Sequence, residues 1–146
     1  MEFNVTKKVE GSAAYYLVRW SRLAVCDKYR IINAVPAVAG LFELYYMDDH
    51  NSLRLFYIAK AWYGGLRSSL REKIDPDLLQ NRDHKHILND HTCYYRYTET
   101  GSHADMSDII FFYAETYLPG RVKAHHSGRY KDIYVEEVSA DKIIDV

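Results

Sequence analysis

The chain has 146 residues, 48% hydrophobic and 27% charged, with a formal net charge of −1. That length suits one domain whose core needs no disulfide or metal staple, and the composition excludes a disordered or fibrous chain. The near-zero charge removes any bulk attraction to phosphate, so a nucleic-acid site has to be a local basic patch.

Residues 1–12 are polar and are expected to be loosely held. The apolar stretch 13–25, interrupted by Arg19 and Arg22, fits helix and strand alike and leans to helix. Pro36 and Gly40 mark a turn into a strand-type run, 41–46. Turn chemistry follows over 47–52, and 53–59 reads as the returning strand, so 41–59 predicts a β-hairpin. Leu66, Leu70 and Ile74 recur at helical spacing, and Asp75-Pro76 stops that helix. A second helix is expected over Asp77–Asn89, with Asp75 as cap and Pro76 at its first position.

The β-branched and aromatic run His91–Thr98 predicts a third strand. Ser102–Leu118 reads as a long helix, opened by Ser102 with Asp105 three residues on and closed by Pro119-Gly120. Met106, Ile109, Ile110, Tyr113 and Tyr117 share one of its faces, while Asp105, Asp108 and Glu115 mark an acidic stripe on another. Tyr130–Val138 reads as a strand, followed by an acidic tail.

Charge is unevenly spread. Arg54, Lys60, Arg67, Arg71 and Lys73 face a single acid, Glu72, within 54–73. Arg121, Lys123, Arg129 and Lys131 have no acid among them, whereas 132–146 is acidic. Two basic segments therefore hide inside the neutral total.

Cys26 and Cys93 lie far apart in sequence, in no ligand-spacing motif; one disulfide between them would not organise the fold, and free thiols are the favoured reading. His84, His86, His91 and Cys93 are of metal-ligating type, but their spacing matches no zinc site and the histidines read as surface side chains. Tyr94-Tyr95-Arg96-Tyr97 interleaves aromatics with a cation, a pattern that stacks bases; an aromatic strand is also the usual substance of a sheet core, and core is favoured. The N-terminus has no apolar region of secretory type, and no run reaches the roughly 18 apolar residues of a membrane span. A soluble, cytoplasmic protein with no membrane partner is expected.

The order Gly40-Leu41-Phe42, then Phe56-Tyr57-Ile58-Ala59-Lys60-Ala61, then Gly65 to Arg71, resembles the GIY-YIG nuclease superfamily over residues 36–120. Arg67 follows Tyr57 by ten residues, as the superfamily's helix arginine does, and Lys60 follows it by three, as in the repair-nuclease branch. The resemblance implies a small α/β (α+β) fold: a mainly antiparallel sheet of three or four strands flanked by helices. It leaves 1–35 as an N-terminal extension and 121–146 as an added strand and tail.

The implied activity is Mg²⁺-dependent phosphodiester hydrolysis. Tyr57 would hold the attacking water, Arg67 would neutralise the phosphoryl group, and Glu115, with Asp108 as alternate, would bind the metal. Lys60, Arg71 and Lys73 are the cations expected to meet DNA or RNA. Phe42 departs from the pattern by lacking the first tyrosine's hydroxyl, Ala59 replaces a glycine, and the asparagine usual after the last helix is not evident. Tyr46 shares a strand face with Phe42 and is the candidate substitute. The rival readings are a catalytically inactive binding module on the same fold and an unrelated α/β protein.

Overall fold

The computed structural model describes residues 2–138. Their strands are β1 (Val5–Glu10), β2 (Ala13–Arg19), β3 (Ala24–Val25), β4 (Gly40–Met47), β5 (Leu53–Ala61), β6 (Cys93–Glu99) and β7 (Asp132–Val138). The helices are α1 (Ile31–Ala34), α2 (Gly65–Ile74), α3 (Arg82–Asp90) and α4 (His103–Tyr117). No helix among the described residues is long and apolar enough to cross a membrane. The fold class is α+β and mostly antiparallel, as expected, but the strands form two sheets rather than one.

The four-stranded sheet has the order β3-β6-β4-β5. The expected hairpin is β4 and β5, with Phe42 opposite Ala59. β4 also pairs antiparallel with β6, so it lies in the middle and is buried from Gly40 to Tyr45. The register shifts between Leu44, opposite Tyr57, and Tyr45, opposite Leu55. Phe56 is thus the extra residue of a β-bulge, and Phe56 and Tyr57 both pack toward the α2 side.

Residues 1–35 are no mere extension. β2 pairs antiparallel with β1 and parallel with β7, so the two ends of the described chain build a three-stranded sheet together. The helical leaning for 13–25 is corrected, because Ala14, Tyr16 and Val18 are buried while Tyr15 and Arg19 are exposed. This alternation of two buries one strand face, which a helix cannot do. Residues expected to be loose form β1, turned back at Gly11, whose φ of 59° is glycine's natural territory.

Cores lie on both sides of the central sheet. On one side Ala14, Tyr16, Val18 and Trp20 meet Leu41, Tyr45 and Ile58, together with Met106, Ile109 and Tyr113 of α4. On the other, Phe42 and Leu44 meet Leu66, Leu70 and Ile74 of α2. A Cβ at Gly40 would stand 2.2 Å from the Thr98 carbonyl oxygen, so only glycine lets β4 and β6 approach here. The second expected helix is shortened to α3, because Pro76–Leu78 forms a separate 3-10 turn. Asp75 caps that turn, and Asn81 caps α3 by accepting from the His84 N–H at 3.0 Å.

Candidate nucleic-acid interface

Leu66, Leu70 and Ile74 turn one side of α2 to the core, which leaves Arg67 and Arg71 on its outer side. Arg67 is anchored: its Nε–H donates to the Val35 carbonyl at 2.8 Å and its backbone N–H to Pro36 at 3.3 Å. Its terminal NH₂ groups make no hydrogen bond among the described residues. A cleft of about 390 Å³ is lined by Arg67 and Arg71, with Lys28, Glu72 and Asp75. Lys28 reaches Asp75 at 3.4 Å, and this contact raises its pKa.

A larger cleft, about 950 Å³, opens beside it and is lined by Tyr57, Lys73, His84 and Arg121. The Tyr57 ring lies 5.0 Å from His84 and 6.0 Å from Phe42, with the Lys73 ammonium 5.8 Å above it. His84 Nε2 sits 2.9 Å from the Lys73 carbonyl, which can only accept, so that nitrogen carries the proton. Burial lowers the pKa of His84 and holds the ring neutral. Glu72 lines both clefts.

The expected site residues are divided among several places. Tyr57 and Lys73 line the larger cleft, Arg67 and Arg71 the smaller. Lys60 is on the other sheet face, its Nζ 3.4 Å from Ser107 Oγ of α4. Tyr46 packs on Phe56 and His91, ring centres 5.8 and 4.9 Å away, and lines neither cleft. Glu115 is exposed on α4, without a hydrogen bond or ion pair among the described residues.

Asp108 is buried and already occupied. Its oxygens accept from Tyr16 OH at 2.7 Å, the Ser127 N–H at 2.7 Å and Arg129 Nη2 at 2.9 Å. Asp105 is paired with Lys7 at 3.0 Å and Arg129 at 2.8 Å. Burial pushes both carboxyls up, but these donors outweigh it and leave them below the ordinary carboxylate range. The acidic stripe thus fastens Ser127 and Arg129 to α4.

No carboxylate of α4 lines the cleft of Tyr57 or that of Arg67. Among the described residues, no three His, Cys, Asp or Glu side chains gather as metal ligands would. The donor set implied for Mg²⁺ does not fit this arrangement.

His84 is a further correction, because this expected surface side chain is buried against Phe56 and Tyr57. The bulge brings both aromatics to its side. Tyr95 and Arg96 are buried, as core was favoured for that strand. Sequence reasoning missed Lys28 and Glu72 as cleft residues. Glu72 had one signal, its position as the sole acid of a basic run; Lys28 had none.

Fold and surface together define a small α+β protein with a cationic helix side bordering two clefts. The chain belongs to a family of uncharacterised proteins, whose family model matches residues 4–146. No curated protein and no solved structure matches the chain.

Proposed function

We propose that the protein binds nucleic acid along the outer side of α2, as a binding module that does not cleave phosphodiesters efficiently. The observation that carries this reading is the grouping of Lys28, Arg67 and Arg71 around one cleft, with Lys73 and Arg121 on the next. Anchoring of Arg67 at Val35 limits the side-chain entropy lost when its remaining donors engage a phosphate. Aromatic surface at Tyr57 beside Lys73 suits an unpaired base next to its backbone. The resemblance to GIY-YIG nucleases supports the same ligand class.

Two features support binding without cleavage. Phe42, at the position of the family's first tyrosine, is 1% exposed and has no hydroxyl to offer. The α4 carboxylates, in turn, line neither α2 cleft. The test is gel retention of single- and double-stranded DNA and RNA at low salt. Retention should weaken with salt, with a log–log slope of about −0.9 for each duplex-DNA phosphate neutralised. Failure to retain any of these ligands would overturn the proposal.

A further inference from the structure

Cys26 and Cys93, far apart in sequence, meet in space. β3 runs antiparallel to β6 with Ala24 opposite Tyr95 and Val25 opposite Tyr94, and the next step of that register sets Cys26 opposite Cys93. The Cys26 N–H donates to the Cys93 carbonyl at 2.9 Å, so the pairing continues to this step. Directly opposite residues of antiparallel strands send their side chains to the same face, with Cα atoms about 4.5–5.5 Å apart. A disulfide spans Cα separations of about 4.4–6.8 Å. Both residues are free thiols here; Cys93 is buried and Cys26 half-buried at the edge of the α2-side core.

We propose that Cys26 and Cys93 form a redox-modification site, which a small-molecule disulfide such as oxidised glutathione converts to an intramolecular disulfide. Cys26 is the more accessible thiol and reacts first. Its thiolate attacks one sulfur of the oxidant, forming a mixed disulfide and expelling one glutathione thiolate, which takes up a proton. Cys93 then loses its proton and attacks Cys26 Sγ, making the protein disulfide and expelling the second glutathione. Two protein thiols are oxidised by two electrons, and one glutathione disulfide is reduced to two thiols.

Burial raises both thiols, Cys93 to about 12, and the neighbouring Cys93 adds to the rise at Cys26. Thiolate is therefore scarce at neutral pH and the exchange is slow. The bond would tie down β3, only two residues long, and with it the following turn that carries Lys28. The site itself stands independently of what α2 binds.

The experiment incubates the folded protein with excess oxidised glutathione, then denatures it, alkylates free thiols and measures intact mass and tryptic peptides. The expected product is a monomer lighter by two hydrogens, resistant to alkylation, with the Cys26 and Cys93 peptides joined. It should melt about 5–10 °C above the reduced protein, since the bond closes a long loop. Cys26→Ser and Cys93→Ser should each prevent the linked product. Two alkylated thiols, a stable glutathione adduct at either cysteine, or a disulfide between two chains would overturn the proposal. A linked form melting no higher than the reduced one would also overturn it, by showing that the two thiols are not aligned for the bond.

Discussion

Arg96 and Glu43 form an ion pair inside the protein, Nε to Oε1 at 2.5 Å, with side chains 1% and 0% exposed. Arg96 Nη2 also reaches Glu137 of β7 at 2.8 Å, and the guanidinium lies 4.7 Å from the Trp20 ring centre. Tyr45 OH donates to Glu43 at 2.7 Å, and Tyr113 of α4 donates to Glu137. This network joins the central sheet to β7 and α4, so it holds the two sheets in one arrangement. Burial raises the pKa of Glu43 while the Arg96 charge opposes it, and Glu43 Oε2 is buried without a hydrogen-bond partner among the described residues.

Breaking the pair from one side should therefore be severe. Arg96→Met strands a buried carboxylate and should cost about 3–5 kcal/mol in urea unfolding. Adding Glu43→Leu should recover most of that loss, because a buried pair replaced by apolar side chains is often neutral or stabilising. A double variant as unstable as the single one would mean that packing of Arg96 on Trp20, not its charge, matters most.

The Asp108 site predicts a specific acid sensitivity. Its folded pKa lies below the unfolded value of about 3.9. The associated stability is present above that value and is lost as pH falls through the folded pKa. Asp108→Asn weakens the bonds from Tyr16, Ser127 and Arg129 and should cost about 1–3 kcal/mol near neutral pH. The gap between wild type and variant should then narrow from about pH 5 downward. A gap constant between pH 7 and pH 2 would show that the carboxylate's charge contributes nothing.

Binding should distinguish cations that sequence alone treats alike. Lys60 and Arg71 lie in one basic run, yet Lys60 stands beside Ser107 on the α4 side of the sheet. Arg71→Glu should lower affinity for nucleic acid severalfold and make the salt slope shallower by about one phosphate or more. Lys60→Glu should leave affinity at low salt close to wild type. Equal losses from both would place contact on the edge of β5 rather than on α2.

The hairpin, α2, β6 and α4 were legible because each carries a local signal of period or cap. Leu66, Leu70 and Ile74 repeat at helical spacing, and Ser102 stands where α4 needs its cap, accepting from the Asp105 N–H at 3.2 Å. β2 was misread because a mostly apolar run with arginines at 19 and 22 satisfies both periods, and only its partners decide. β1 precedes β2 across the short turn at Gly11, in a stretch too polar to signal a strand, and β7 comes from the far end of the described chain, a pairing that leaves no mark in a local window. The acidic stripe of α4 was legible as a stripe, but not as the anchor of Ser127 and Arg129, which enter from an irregular segment. The opposition of Cys26 and Cys93 was hidden for the same reason, since β3 is too short to announce itself.

Catalysis gives the last test, and it turns on Phe42. Its ring is buried among Leu44, Leu66 and Leu70 in the core beneath α2. Phe42→Tyr would add a hydroxyl there, and an unpaired buried hydroxyl costs about 1–3 kcal/mol. The added group would still lack a carboxylate of α4, since Asp108 is held by Tyr16, Ser127 and Arg129, and Glu115 lines neither cleft. Wild type and Phe42→Tyr, incubated with supercoiled plasmid and Mn²⁺ or Mg²⁺, should therefore nick no faster than Arg67→Ala. Losing one electrostatic element of such a site costs about 10²–10³ in rate, so a working centre would separate these proteins clearly. Robust wild-type nicking that Arg67→Ala and Glu115→Ala both abolish would overturn the binding-only reading and restore the nuclease one. Nicking that both variants retain would point to chemistry elsewhere on the surface, with Glu72, the acid shared by the two α2 clefts, as the next residue to change.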